Sequence, residues 1–195
     1  MTPLELASSP LVAIAWRTVH EFLGEWQASP YLWSREIDIQ VELSSRLLRQ
    51  YQSLGLGTVI GNYRDTVVRG FENKQLWNRV CCEPEVWYTS TSGNRERCEP
   101  DVVVWADTED PNRPPDEVRG QNWPILWLCE LKLDWSDASD WDWEKITCLL
   151  EEGTTQQACG LRLFRKRATS GLGIDWEFVT DRFRICTAQL PYLAM

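Results

Sequence analysis

The hydrophobic pattern in the first quarter of the chain predicts two helices. Residues 11–26 carry apolar side chains three and four positions apart, with Pro10 in the first turn and Ser8 or Ser9 as the cap. A second helix is predicted over residues 35–54, with a glycine directly after it. One stripe of this second helix is predicted to face inward, and it consists of Ile37, Val41, Ser44, Leu48 and Tyr51.

The rest of the chain is predicted to alternate strands with one further helix. Residues 86–88 are strand-like and precede a turn, so they are predicted to pair with the strand 102–105 as its antiparallel partner. A helix over about 142–152 is predicted to follow the strand 125–133. Further strands are predicted at 158–164, 175–180 and 183–188. This order predicts an α/β fold with a mixed central sheet flanked by helices on both sides.

Length and composition predict a single domain over residues 1–195, because this length suffices for one buried core and no Pro/Gly/Ser-rich linker divides it. No apolar run approaches the roughly 18 residues of a membrane span, and the first ten residues lack the pattern of a signal peptide. The seven cysteines contain no CxxC pair, which disfavours zinc and favours a reducing compartment. The predicted location is the cytoplasm, with no membrane partner.

The formal net charge of −9 disfavours an extended nucleic-acid surface, because phosphate binding normally needs a basic footprint. The basic residues are clustered, however. Arg46 and Arg49 lie on the second predicted helix, and four more basic residues lie within 162–167. Local patches of this kind are compatible with binding of nucleic acid.

Two acids stand beside apolar strand segments. Glu130 and Lys132 are two positions apart in one strand, so they project from the same face. Asp101 follows Pro100 at the mouth of the strand 102–105. Burying two carboxylates side by side is costly, and a hard divalent cation such as Mg2+ relieves their repulsion. The pattern therefore predicts a metal-binding acidic site.

Pro100-Asp101 followed by Glu130-Leu131-Lys132 resembles the signature of the PD-(D/E)XK nuclease superfamily, whose members have the restriction-endonuclease-like fold. The resemblance implies that Asp101, Glu130 and the carbonyl oxygen of Leu131 bind Mg2+ or Mn2+. It also implies that Lys132 orients the attacking water or neutralises the transition state.

The segment 34–40 is similar to the opening of the first core helix in many small members of this superfamily. The similarity implies that Glu36 helps to hold the metal, with Glu42 as the second choice. The preference of helix N-termini for acids explains Glu36 equally well. The segment 142–146 resembles the start of the helix after the second motif. The resemblance allows Lys145 to approach the phosphate, but the favoured prediction is a solvated helical residue.

The resemblance covers about residues 34–165, which makes the N-terminal helix and the C-terminal strands additions to a nuclease-like core. The implied activity is hydrolysis of phosphodiester bonds in nucleic acid, and DNA is favoured because the superfamily mostly cuts DNA.

The alternative is a nuclease-like fold that does not cut and serves as a binding or assembly module. The acidic net charge favours this alternative. A tryptophan-rich surface also favours it, since such a surface suits a homodimer or another protein partner, and its residues are Trp135, Trp141 and Trp143.

Overall fold

The computed structural model describes residues 9–29, 31–61, 75–107, 124–133, 140–153, 155–163, 174–180 and 183–189. The helices of these residues are α1 (Pro10–Ala28), α2 (Glu36–Ser53) and α3 (Asp140–Glu151). The strands are β1 (Thr58–Gly61), β2 (Gln75–Asn78), β3 (Val80–Cys82), β4 (Val86–Thr89), β5 (Arg95–Cys98), β6 (Val102–Trp105), β7 (Ile125–Leu133), β8 (Thr155–Leu163), β9 (Ile174–Thr180) and β10 (Phe183–Gln189).

Six strands form one mixed sheet in the order β10-β9-β8-β7-β6-β3. Strands β7 and β8 run parallel, and α3 lies between them in the chain as the crossover helix that a parallel pair requires. The other neighbours in this sheet run antiparallel. Strands β1 and β2, and strands β4 and β5, form two-stranded ribbons beside it. The described chain is therefore α/β with a mixed sheet, as the element order predicts.

The sheet has a hydrophobic core on each face. Strand β6 shows the division most clearly, because alternate residues of a strand point to opposite faces. Val102 and Val104 lie in the core that α1 and α2 cover, whereas Val103 lies in the core that α3 and β4 cover. The sheet is thus flanked by helices on both sides.

Helix α1 begins where the sequence predicts. Pro10 occupies its first turn, and the Oγ of Ser9 accepts a hydrogen bond from the N–H of Val12 at 3.3 Å. At 19 residues α1 is the longest helix in the described part of the chain. Neither it nor any other helix of the described residues is long and apolar enough to cross a membrane.

Helix α2 buries a different face from the predicted one. The predicted stripe is wrong at Ile37 and Val41, which are 41% and 54% exposed. The buried face consists of Ile39, Gln40, Leu43, Leu47 and Tyr51. Two hydrogen bonds determine which face of α2 turns inward. Glu36 accepts one from the N–H of Leu133 in β7, and Gln40 donates one to the carbonyl oxygen of Asp101, the residue before β6. Turning these two side chains inward turns Ile37 and Val41 outward.

The predicted pairing of residues 86–88 with the strand 102–105 is also wrong. Strand β4 pairs with β5 around a turn in which Gly93 has a φ of 82°. Strand β6 pairs with β3 and β7 instead. Pro100, which has no N–H to donate, separates β5 from β6. The chain therefore leaves the hairpin before it enters the main sheet.

The later elements agree with the prediction. Helix α3 is followed by Gly153, whose φ of 71° is easily adopted by glycine after a helix end. Strands β8, β9 and β10 overlap the three predicted strands.

Candidate active site

Antiparallel pairing of β6 and β7 brings the two motif acids together. Val102 is the register partner of Cys129, so the preceding residue, Asp101, lies opposite Glu130. The two carboxyl groups lie close enough for each to shift the pKa of the other. Both acids therefore occupy one point of the sheet, where β6 begins and β7 approaches its end.

Hydrogen bonds from Leu131 and Gln40 hold Asp101 in place. Its Oδ2 accepts a hydrogen bond of 2.6 Å from the N–H of Leu131, and its carbonyl oxygen accepts one of 2.8 Å from Nε2 of Gln40. Burial raises the pKa of the Asp101 carboxyl, while the Leu131 N–H and the charge of Lys132 oppose that rise. A cation at this point would favour the ionised form further.

Glu130 is almost completely buried, with 5% of its surface exposed. Its Oε1 lies 2.7 Å from Nζ of Lys145. Burial raises the pKa of Glu130 to about 8, Lys145 opposes the rise, and the negative charge of Asp101 adds to it. Both carboxyl groups therefore bind their protons more tightly than ordinary acids do.

Glu36 and Lys132 form a second pair beside the acids. Glu36 is the first residue of α2, and its Oε2 accepts a hydrogen bond of 3.1 Å from the N–H of Leu133. Nζ of Lys132 lies 3.8 Å from Oε1 of Glu36, and both side chains are partly exposed. The structure thus places Glu36, Asp101, Glu130 and Lys132 in one cluster.

Glu42, the second choice for the helical acid, belongs elsewhere. Its Oε1 lies 2.6 Å from Nε of Arg46, which also binds Glu25 at 2.6 Å. Arg46 was predicted to contribute to a basic patch, but two carboxylates neutralise it. Glu36 is therefore the helical acid of the cluster.

The prediction that Lys145 is a solvated residue is wrong. Lys145 is 4% exposed rather than solvated, and it forms the closest described ion pair of Glu130. The sequence contains a signal that Lys145 is buried. Cys148 and Leu149, three and four residues later, share its helical face, and both are buried. A lysine on a buried stripe needs an acid partner, and Glu130 is the buried acid nearest to it.

Asp101 and Glu130 offer carboxylate oxygens, the type of donor that the predicted Mg2+ or Mn2+ prefers. Among the described residues, no three His, Cys, Asp or Glu side chains converge closely enough to hold an ion together. Asp101 and Glu130 would therefore act as a pair, with main-chain oxygen and water in the remaining positions. Mg2+ is commonly bound in this way, through one or two carboxylates and several waters.

The predicted tryptophan interface lies outside what the structure describes. Trp135 is not among the described residues, and neither are the side chains of Trp141 and Trp143. The interface stays a prediction.

The chain matches no protein-family model, and neither curated proteins nor solved structures give a significant match. Its function is therefore inferred from the geometry of the site.

Proposed function

We propose that the protein is a metal-dependent nuclease of the PD-(D/E)XK type that hydrolyses phosphodiester bonds of nucleic acid, with DNA as the first substrate to test. One observation carries the proposal. Asp101 and Glu130 lie at opposite positions of paired strands, where each carboxyl shifts the pKa of the other, and the ion pair of Lys132 and Glu36 lies beside them. Three separate elements supply these residues, so their convergence is a property of the fold and not of one short motif.

The topology supports a restriction-endonuclease-like core. Helix α2 precedes an antiparallel run of β3, β6 and β7, and α3 then crosses over to the parallel strand β8. This arrangement puts both motif acids at adjacent positions of neighbouring strands. It also leaves α1, β9 and β10 as additions to the core.

Asp101 and Glu130 would hold the ion, with the carbonyl oxygen of Leu131 as a third ligand. When bound, Mg2+ or Mn2+ lowers the pKa of a coordinated water and stabilises negative charge on the phosphate. The N–H of Leu131 orients the Asp101 carboxylate, and Gln40 anchors the same residue through its main chain. The chain thus builds the acidic pair before substrate arrives.

Lys132 is the cation of the site that is best placed to meet substrate, because its side chain is 25% exposed. In this proposal its ammonium group orients the attacking water or neutralises the transition state. In this proposal Glu36 pairs with Lys132 and holds it near the two acids.

Cleavage of supercoiled and linear DNA in Mg2+ or Mn2+ tests the proposal. Asp101→Ala and Lys132→Ala should each reduce the rate by about a hundredfold or more, since each removes an electrostatic contact to the reacting groups. Glu42→Gln is the matched control and should cut at the wild-type rate, because Glu42 pairs with Arg46 away from the cluster. Equal rates in all four proteins would identify a contaminating nuclease and contradict the proposal.

A second candidate function is a binding or assembly module that does not cut. It is favoured by the internal partners of the two acids, since Leu131 N–H satisfies Asp101 and Lys145 neutralises Glu130 without any ion. Titration calorimetry separates the two candidates. Uptake of Mn2+ at millimolar concentration, lost in Asp101→Ala, supports the nuclease, and no uptake by the wild type supports the module.

A further inference from the structure

Lys145 and a divalent ion would compete for the same oxygen atoms. Its Nζ lies 2.7 Å from Oε1 of Glu130, and both side chains are about 5% exposed. A metal that uses Glu130 as a ligand must therefore share this carboxylate with an ammonium group, or replace it. Two cations on one buried carboxylate repel each other strongly, because the surroundings screen them poorly.

Replacement of Lys145 by a divalent ion at Glu130 would change the net charge of the cluster. The carboxylates of Glu36, Asp101 and Glu130 and the ammonium groups of Lys132 and Lys145 give a formal charge of −1 when all are ionised. A divalent ion reverses this sign, and a phosphodiester anion then finds a positive site. Lys145 serves the first state as a counter-ion, and in the second it would be available to the phosphate.

The support of α3 confines this exchange to the lysine side chain. Glu144, next to Lys145, accepts a hydrogen bond from the hydroxyl of Thr91, and Glu152 Oε1 lies 2.9 Å from Nη1 of Arg95. Both partners belong to the β4–β5 hairpin and its turn. Because these contacts hold the helix at two points, Lys145 can leave Glu130 by a change of its own flexible side chain while α3 stays in place.

We infer that Lys145 is an internal counter-ion of Glu130 that leaves this carboxylate when a divalent ion binds. The ion takes its place, and the ammonium group of Lys145 is thereby released toward the substrate phosphate. The inference rests on the proposed function, since it assigns a role at the same site. It differs from a purely structural ion pair, which would persist whether or not an ion is bound.

Amine labelling of the wild-type protein tests the exchange without any substitution. With an N-hydroxysuccinimide acetate reagent and peptide mass spectrometry, Lys145 should be protected in EDTA and should react severalfold faster in Mn2+. The Asp101→Ala protein should show no such increase. Unchanged reactivity of Lys145 in a wild-type protein that has taken up Mn2+ overturns this inference alone.

Metal affinity provides the second measurement. Lys145→Met should bind Mn2+ at least about fivefold more tightly than wild type, because the competing cation is gone. Arg49→Met, which removes one positive charge from an exposed position of α2, is the control and should bind as wild type does. An affinity of Lys145→Met no higher than that of Arg49→Met overturns the inference. Failure of the wild type to bind Mn2+ at all overturns the proposed function and this inference together.

Discussion

Glu130 keeps its proton to a higher pH than an ordinary glutamate, and this links the stability of the protein to pH. Burial raises its pKa from the ordinary 4.5 to about 8 in the folded chain. Between these two values the folded state binds a proton that the unfolded state has already released. The free energy of unfolding must therefore fall as the pH rises through this window.

In EDTA, we expect this contribution to decrease the stability of the wild type progressively from about pH 4.5 to pH 8 and to become constant above it. The slope cannot exceed about 1.4 kcal/mol per pH unit for one group. Urea unfolding at several pH values measures it. Glu130→Gln is the control, because it lacks the titrating group and should lose this part of the slope. Parallel pH profiles for the two proteins would contradict the prediction.

The individual site residues differ in how far the sequence reveals them. Asp101, Glu130 and Lys132 stand at motif positions, and their strand faces follow from a period of two. Lys145 was placed in solvent because lysine is usually exposed. Its burial depends on an acid fifteen residues earlier, which is a tertiary contact that helical spacing alone does not show.

Arg79 joins three elements of the fold through a buried side chain. It is 1% exposed, and its guanidinium donates to the carbonyl oxygens of Leu56, Thr58 and Trp105 at 2.6, 3.4 and 3.0 Å. It also lies 2.8 Å from Oδ1 of Asp107. The segment after α2, strand β1 and the end of β6 are thereby fastened at one point.

Arg79→Met should lower the free energy of unfolding by about 3 kcal/mol, because three main-chain oxygens at partly buried positions lose their donor. Urea unfolding in EDTA measures the loss. Arg97→Met is the matched control, since Arg97 is 55% exposed and its ion pairs with Glu85 and Glu99 lie on the surface. It should change stability by less than about 0.5 kcal/mol. Equal losses in both variants would show that Arg79 is no fastening point.

Hydrophobic periodicity and capping residues predict most helices and strands. They do not predict which face of a helix is buried or which strands pair. Helix α2 carries apolar residues on two overlapping stripes, and both fit a helical period. The hydrogen bonds of Glu36 and Gln40 decide between them, and these bonds join residues far apart in the chain. The pairing of β4 was assigned wrongly because the nearer strand, β5, is highly charged and was not recognised as a strand.

The acidic character of the whole molecule restricts how the proposed nuclease would bind DNA. In the described part of the chain several arginines are already paired with acids, namely Arg35 with Asp38, Arg46 with Glu25, Arg79 with Asp107, Arg95 with Glu152 and Arg97 with Glu85. The net charge is −9. Binding should therefore rely on the metal and on few phosphate contacts.

We expect the logarithm of the DNA-binding constant to fall with the logarithm of salt concentration with a slope of about −3 or shallower, which corresponds to about three phosphates. Fluorescence anisotropy of a labelled duplex measures this, with Ca2+ in place of Mg2+ to prevent cleavage. In Asp101→Ala the Ca2+-dependent part of the affinity should disappear. A slope steeper than about −6 would reveal a large basic surface and refute this expectation.

The use of peptide groups to hold the site has a consequence for how such a protein diverges. Asp101 is oriented by the N–H of Leu131, and Glu36 by the N–H of Leu133. Every residue except proline offers that N–H, so mutation can replace both leucines by other apolar residues and leave the bonds intact. An ancestor and its descendants can then keep one constellation of a few side chains while nearly all other positions change. Related proteins can therefore share a three-dimensional arrangement of side chains after their sequences have lost detectable similarity.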